Sequence, residues 1–154
     1  MVVMDVKIDN FICFRNFHMN MSYPKKIVGS YIENEFLPGR TNFRYKKVNI
    51  IMGANASGKT SIGKMLMRIF NFIDKKQYES LTDVICDVDK NASFEMDFVT
   101  DKCVLYRVKT VIRPKNGEKY SLSNIDVTVH STDITLRDSY ETCVKKIEAQ
   151  KEAK

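Results

Sequence analysis

The sequence predicts an α/β fold that combines a mixed sheet, containing an antiparallel β meander, with one long helix. Three observations lead to this prediction. Apolar and polar residues alternate over residues 1–9, which is typical of a half-buried strand. A short apolar run, residues 48–52, passes through a glycine-containing loop directly into a helical period. Beyond Ser80, alternating segments follow one another with connections too short for crossover helices, which favours antiparallel pairing.

The N-terminal half is predicted to contain three strands. The first has a buried face of Val2, Met4, Val6 and Ile8 and an exposed face of Asp5, Lys7 and Asp9. A second strand is predicted from residue 10 to near Pro24. Prolines and glycines punctuate residues 24–45, which indicates strand ends and loop. Residues 48–52 (VNIIM) have the mostly apolar composition of a buried strand.

The long helix follows this apolar run. Its core-facing stripe is predicted to be Ile62, Leu66, Ile69 and Ile73, widened by Met65 and Phe72, and its end to lie near residues 74–76. The meander would then use alternating residues around 94–98, 103–112 and 125–129, with an Asn-Gly turn signal within residues 113–119. One more strand is predicted at 132–136, and residues 138–152 are expected to form a polar, solvated helix.

Residues 53–60 (GANASGKT) fit the Walker A pattern GxxxxGK[ST]. Gly53 and Gly58 permit backbone angles and a close approach that a Cβ would block. The N–H groups between them form an anion nest, Lys59 reaches the β- and γ-phosphates, and the Thr60 hydroxyl ligates Mg²⁺. The helix N-terminus faces the same phosphates, with Ser61 near the α-phosphate. The predicted ligands are ATP and Mg²⁺, and the loop residues predicted to bind them are Gly53, Asn55, Ala56, Ser57, Gly58, Lys59, Thr60 and Ser61.

This loop resembles the G-x-N-x-[SA]-G-K-[ST] variant of ABC-type ATPases in the SMC, RecF and OLD-nuclease branch, which are AAA-family ATP-binding proteins. The N-terminal segment is similar to the opening strand of that branch, with the lead I-x-N-F-x-x-F at Ile8, Asn10, Phe11 and Phe14. The resemblance covers about residues 1–137 and implies the N-terminal lobe of a P-loop NTPase head domain. Residues 138–154 would be a polar helix or a truncated continuation.

The resemblance also implies that Arg15 and Asn16 lie beside the nucleotide, with Arg15 in reach of its phosphates. Asn55 would brace the loop or face the γ-phosphate, although a plain turn residue is the alternative. An adenine neighbour among Phe11, Phe14 and Phe17 is the alternative to ordinary core packing of these aromatic side chains.

Two motifs of this branch are missing from the sequence, and a third has no convincing residue. No apolar run ends in Asp-Glu as a Walker B strand does, and the nearest segment, residues 84–87, is followed by Val88. No two of the six glycines are adjacent, which excludes an SGG signature. The glutamines offer little for a Q-loop, because Gln77 comes too early and Gln150 lies on the polar helix. The sequence therefore predicts an ATP-binding lobe, inactive alone, that a C-terminal ATPase lobe or second protomer completes.

Three other kinds of nucleotide-binding protein are alternatives to an ABC-type ATPase lobe. A small P-loop kinase would place the loop near its N-terminus and follow it with βα units, and a GTPase would carry the N-K-x-D guanine reader, which is absent. A non-catalytic nucleotide-binding module stays open. Within the favoured class, the expected roles are DNA repair, chromosome maintenance or phage defence, with ATP-driven head dimerisation as the switch.

Composition limits the remaining choices. A chain of 154 residues predicts one domain or one lobe, and no window approaches the ~18 apolar residues of a membrane span. The N-terminus lacks the pattern of a signal peptide, and four cysteines without a CxxC pair predict reduced thiols in a cytoplasm.

The net charge of +6 suits a polyanionic partner. DNA backbone contact and ordinary solvated surface are both open for two basic clusters: Lys25, Lys26, Arg40, Arg44, Lys46 and Lys47, and Lys109, Arg113, Lys115 and Lys119.

Overall fold

The computed structural model describes residues 1–23, 32–55, 58–115, 117 and 119–152. The strands in these ranges are β1 Val2–Asp9, β2 Phe17–Asn20, β3 Ser22–Tyr23, β4 Phe36–Leu37, β5 Arg40–Tyr45, β6 Ala92–Val99, β7 Val104–Ile112 and β8 Ile125–Asp133. The helices are α1 Lys59–Lys75, α2 Glu79–Thr82 and α3 Tyr140–Glu152, with a 3₁₀ turn at Leu122–Asn124. None of these helices is both long enough and apolar enough to cross a bilayer.

Two sheets carry the fold. The larger has the strand order β2-β1-β6-β7-β8, and the smaller has the order β3-β5-β4. The α/β class and the antiparallel meander β6-β7-β8 are therefore confirmed. The expectation of a mixed sheet is not met in the part that the structure describes, where every strand pairing is antiparallel.

The prediction of a buried strand at residues 48–52 is wrong for this chain. This apolar segment has no regular secondary structure, and its apolar side chains are exposed, by as much as 78% at Ile50 and 86% at Met52. A buried strand requires a neighbour for its backbone and cover on both faces. Among the described residues no strand lies beside the apolar segment, so its composition alone does not make it a strand.

The alternating sequence of β1 predicted that Val2, Met4, Val6 and Ile8 share one buried face. In the structure they do not all lie on the same face. Val3 pairs with Phe98 and Asp5 pairs with Asp97, which leaves Met4 as the extra residue of a β-bulge. Met4 consequently packs in a different core from Val6 and Ile8, which lie beyond the bulge. Asp5 is buried as well, although the alternation placed it on the exposed face.

One core lies on each face of the larger sheet. The first packs α1 against the sheet through Ile62, Met65 and Ile69 of the helix and Val6, Ile8, Phe94, Met96, Val108 and Ile112 of the strands. The helical period of α1 is thereby confirmed, and the helix ends at Lys75, where Lys76 adopts a left-handed conformation. The second core packs α3 and the smaller sheet against the larger sheet. Its buried residues are Met4, Leu37, Phe43, Val99, Leu105, Ile134, Tyr140, Cys143 and Ile147.

The C-terminal predictions need two corrections. The strand expected at 132–136 is not separate, because β8 continues to Asp133 in unbroken register with β7. α3 forms as predicted but is not merely a solvated helix, since Cys143 and Ile147 are completely buried and Tyr140 nearly so. Its apolar residues are few, but their spacing of three and four places them on one face against the second core.

Candidate functional site

A concavity with a volume of about 670 Å³ lies where a turn after β1 faces the residues that lead into α1. Its lining includes Arg15 and Asn16 from that turn and Gly53, Gly58 and Lys59 from the 53–60 loop. The folded chain therefore brings together two groups of predicted site residues that are separated by more than thirty positions in the sequence.

The N-terminal turn, residues 10–16, is held firmly in place. Asn10 and Asn16 have positive φ angles of 60° and 50°, which asparagine tolerates better than most residues. The Asn10 side chain accepts the N–H of Asp87 at 2.8 Å and donates to the carbonyl oxygen of the same residue at 2.8 Å. The N–H of Asn16 donates to Asp9 Oδ1 at 2.9 Å. These bonds present Arg15 as an exposed side chain at the cavity.

Lys59 bends back over the loop that precedes it. Its Nζ donates to the carbonyl oxygens of Gly53 at 2.7 Å and Ala54 at 2.5 Å. The ammonium group is thus held at the mouth of the loop by two neutral acceptors on an exposed side of the molecule. An anionic ligand with stronger acceptor oxygens would compete well for these donor protons.

Gly58 and the start of α1 complete the loop wall. Gly58 has φ 89°, a left-handed conformation that a side chain would strain, and a Cβ built there would lie 3.4 Å from Cys13 Sγ. α1 has no side-chain cap and no acidic residue in its first turn. Its positive dipole end therefore has no negative side chain in that turn to oppose it.

The other predicted loop residues that the structure describes are not among those that line the cavity. Asn55 and Thr60 are exposed and Ser61 is half-buried, and none of the three lines the cavity. Ala56 and Ser57 fall outside the described residues.

Phe11 and Phe14 of the N-terminal turn differ in burial from Phe17 at the start of β2. Phe11 and Phe14 are only 0% and 8% exposed, so they belong to the core. Phe14 and Phe17 both line the cavity, and the half-buried Phe17 presents the more accessible ring to a ligand.

Residues 84–87 do not have the structure of a Walker B strand. Ile85 makes only an isolated bridge with Phe11. The Asp87 carboxylate binds Lys90 at 2.9 Å and accepts the N–H of Asp89 at 3.2 Å. The hydrogen bond from Lys90 is the main reason that the pKa of Asp87 lies below its ordinary value, and the charge of Arg15 adds to the effect.

Neither glutamine lies at the cavity. Gln150 is exposed on α3 and donates to the carbonyl oxygen of Ser131 at 3.4 Å, and Gln77 follows α1. The described residues contain no cluster of three or more His, Cys, Asp or Glu side chains able to hold a metal.

Sequence reasoning missed a polar network on the other face of the larger sheet. Asp97 and Arg107 are buried register partners on β6 and β7, and the Tyr140 hydroxyl of α3 donates to Asp97 Oδ2 at 2.6 Å. Hydrogen bonding to Asp97 raises the pKa of Arg107, while burial and then the Asp97 charge raise that of Tyr140. Nearby, Asp5 Oδ2 accepts from Asn20 at 2.8 Å and contacts His18 Nε2 at 2.7 Å. The sequence signal for this network was an aspartate and an arginine on two strands predicted to pair antiparallel, and the structure makes them direct cross-strand partners.

Comparison with known proteins does not identify the chain. No family model matches it, and a search of curated proteins found no matching protein.

Proposed function

We propose that this chain binds ATP through the 53–60 loop and is the N-terminal lobe of an ABC-type ATPase, completed by a second lobe or protomer. The observation that carries the proposal is the shared cavity, in which Lys59 at the start of α1 and Arg15 of the N-terminal turn face one space of about 670 Å³. That volume falls within the range of ~300–1,000 Å³ that is typical of small-molecule sites.

The electrostatics of the cavity favour a polyphosphate. The N-terminus of α1, which has no side-chain cap, supplies a positive dipole end. Lys59 would exchange the carbonyl oxygens of Gly53 and Ala54 for phosphate oxygens, which are stronger acceptors. Arg15 adds a second cation from the opposite wall.

Thr60 supports a role for Mg²⁺. Its side chain is exposed in the first turn of α1, directly after Lys59. Mg²⁺ usually keeps several waters and binds one or two protein carboxylates together with substrate phosphates, so Thr60 would supply one ligand and the completing lobe a carboxylate. Bound Mg²⁺ would neutralise charge on the phosphates.

The exposed apolar segment supports a completing lobe. Val48, Ile50, Ile51 and Met52 are 58%, 78%, 47% and 86% exposed immediately before the 53–60 loop. Full burial of each such side chain is worth about 1.5–3 kcal/mol, so a strand laid beside this segment would gain substantially. A Walker B strand from a C-terminal lobe or a second protomer is the proposed neighbour.

The order of elements favours this class over a small P-loop kinase. In the described chain, α1 and the short α2 lead into the antiparallel strands β6, β7 and β8, where a kinase would continue with βα units.

The described members of the first basic cluster argue against DNA as an additional partner. Arg40 Nε donates to the Ile134 carbonyl oxygen at 2.6 Å, and Arg44 lies over the Phe36 ring. Lys46 and Lys47 donate to main-chain carbonyl oxygens at 3.3 and 2.8 Å. These internal contacts favour the alternative of ordinary surface. Lys25 and Lys26 lie outside the described residues.

The test is a titration with a fluorescent ATP analogue in the presence of Mg²⁺. We expect Lys59→Ala to weaken binding at least ~10-fold, because it removes the charge that compensates the phosphates. Arg15→Ala should weaken binding several-fold. Lys64→Ala, an exposed lysine of α1 that does not line the cavity, is the matched control and should bind as the parent does.

Absence of binding by the parent chain at millimolar analogue, or equal binding by the parent and Lys59→Ala, would defeat the proposal. Hydrolysis by the chain alone should fall far below ~1 s⁻¹, the lower end of typical enzyme turnover.

A further inference from the structure

β8 is the outermost strand of the larger sheet and is unusually regular for an edge. Its nine residues pair with β7 in continuous register, from Ile112 opposite Ile125 to Val104 opposite Asp133. Among the described strands, β7 is its only neighbour. The side of the β8 backbone that faces away from β7 therefore carries N–H and C=O groups in position to pair, and of these the Ser131 carbonyl oxygen already accepts Gln150 Nε2 of α3 at 3.4 Å.

β8 has few of the features that usually protect such an edge, although Asp126 and Asp133 are charged and Gln150 of α3 contacts Ser131. Proteins discourage strand addition with lysine, proline, bulges or a short edge strand. The β8 sequence, IDVTVHSTD, contains no lysine, arginine, proline or glycine, and its pairing with β7 has no bulge. β2, at the opposite edge, has only four residues.

An apolar surface continues up to this edge. Val127 and Val129 are 49% and 56% exposed, and they line an apolar groove of about 360 Å³ together with Phe72 and Ile73 of α1. Leu122, which is 70% exposed, lies at the same groove. We refer to this surface as the β8 groove.

We propose that β8 pairs antiparallel with β8 of a second copy of this chain, around a two-fold axis at Thr128. In this register Val127 lies opposite Val129 of the second copy, Asp126 lies opposite His130, and Thr128 lies opposite its own equivalent. Each is a favourable cross-strand combination: β-branched with β-branched, carboxylate with imidazole, and threonine with threonine.

The complementarity is specific to this register. Direct cross-strand partners lie on the same face of a sheet, so the next allowed registers differ by two residues. Those registers place Asp126 opposite Thr128 or Thr132 and lose the pair with His130. The Asp126 side chain is 57% exposed and contacts Arg113 through Oδ1 at 3.2 Å.

Pairing would join the two larger sheets and bring the two β8 grooves together across the axis. The apolar side chains at the edge would lose solvent on both copies, and main-chain hydrogen bonds would satisfy the open edge. β8 and the cavity beside β2 occupy opposite edges of the sheet, so this interface is independent of nucleotide binding.

Oligomeric state is the first measurement. Sedimentation velocity of the parent chain should show a dimer at tens of micromolar. Val127→Lys combined with Val129→Lys should give a monomer with unchanged circular dichroism, because both side chains are exposed. Leu136→Lys, which alters a 69% exposed leucine outside β8, is the control and should remain dimeric. A monomeric parent, or a dimer that survives both valine changes, overturns the proposal.

Disulfide trapping tests the register. In a background with the exposed Cys13 and Cys86 changed to serine, Thr128→Cys should form an intermolecular disulfide under mild oxidation. The two cysteines would face each other within the ~4.4–6.8 Å Cα separation that a disulfide needs. Thr132→Cys is the matched control, since eight residues of offset place its equivalents about 27 Å apart. Crosslinking of Thr132→Cys, or none by Thr128→Cys, contradicts the two-fold axis at Thr128.

Discussion

Arg107 and Asp97 face each other across β7 and β6 and form a bidentate ion pair, with Nε–Oδ1 and Nη2–Oδ2 distances of 2.7 Å. Their side chains are only 8% and 1% exposed. The Tyr140 hydroxyl donates to the same carboxylate at 2.6 Å, so one buried charge pair ties α3 to the larger sheet. Burial of this kind removes both charges from water, so they compensate each other, and Glu95 at 3.9 Å and Glu148 at 3.7 Å add weaker contacts to Arg107.

We predict that Asp97→Ala lowers the free energy of unfolding by about 3–5 kcal/mol, because the buried Arg107 guanidinium would lose its bidentate partner and keep only the longer contacts with Glu95 and Glu148. The double variant Asp97→Leu with Arg107→Met should lose much less, because no uncompensated charge remains. Urea unfolding followed by circular dichroism measures both. Lys7→Ala, which breaks the exposed pair with Glu95, is the control and should cost at most ~1 kcal/mol. Equal losses for the single and double variants would show that the pair is not the cause.

Acid should weaken the protein through Asp138. Burial alone would raise the pKa of this carboxyl, but the Lys146 ammonium at 2.6 Å and the Thr135 N–H at 2.8 Å hold it below its ordinary value of 3.8. A depressed native pKa gives stability that is present above the unfolded pKa and lost as the pH falls through the native value. The free energy of unfolding should therefore drop below about pH 4, and less steeply in Asp138→Asn. Asp101→Asn, which changes an exposed carboxylate, is the control and should show the same dependence of unfolding free energy on pH as the parent. If Asp138→Asn also shows the parent dependence, Asp138 does not cause the loss of stability in acid.

Two glycines of the α1 region should respond in opposite directions to alanine. Gly58→Ala forces an L-residue to a φ of 89° and should cost about 1–2 kcal/mol, together with weaker nucleotide binding. Gly63→Ala lies inside α1 with nothing within 4 Å of the added Cβ, so it should stabilise by about 0.5–1 kcal/mol. Thermal unfolding compares the two. A gain in stability from Gly58→Ala would mean that the loop does not hold this conformation.

Thiol labelling should distinguish the cysteines. Cys13 and Cys86 are exposed and should react quickly with a disulfide reagent, whereas Cys143 is buried and should not. Burial, followed by the charge of Asp138, raises the pKa of Cys143 to about 11, which further suppresses its reactive thiolate. Because Cys13 lines the cavity beside Gly58, MgATP should slow its labelling and leave Cys86 unaffected. Mass spectrometry of labelled peptides reads each site, and equal protection of both would point to a global effect.

Local patterns predicted the elements whose periodicity matches a single buried face. α1 follows its apolar stripe because residues three and four apart share one side of a helix, and Phe94, Met96 and Phe98 of β6 alternate because all three face the α1 core. The 53–60 loop was identifiable for a similar reason, since its glycines and lysine are adjacent in sequence. Arg15 and Asn16 came from the resemblance alone, and the fold then placed them at the same cavity as Lys59.

Other features depend on neighbours that are distant in the chain. Residues 48–52 have the composition of a buried strand, yet composition supplies no hydrogen-bonding partner. The Met4 bulge exchanges the faces of β1 because two cores lie on opposite sides of it. The sequence predicted a solvated α3 because, among its described side chains, three are deeply buried, and their core includes strands far away in sequence.

The sequence by itself determined where α1 and the meander lie and which loop carries the glycines and Lys59, because these follow from short-range periodicity and spacing. Only the tertiary structure decided that Arg15 faces that loop, that Asp97 and Arg107 are buried together, and that the apolar segment is exposed. The physical reason is that burial and charge compensation are properties of the surroundings, and most of the surroundings of each residue come from elsewhere in the chain.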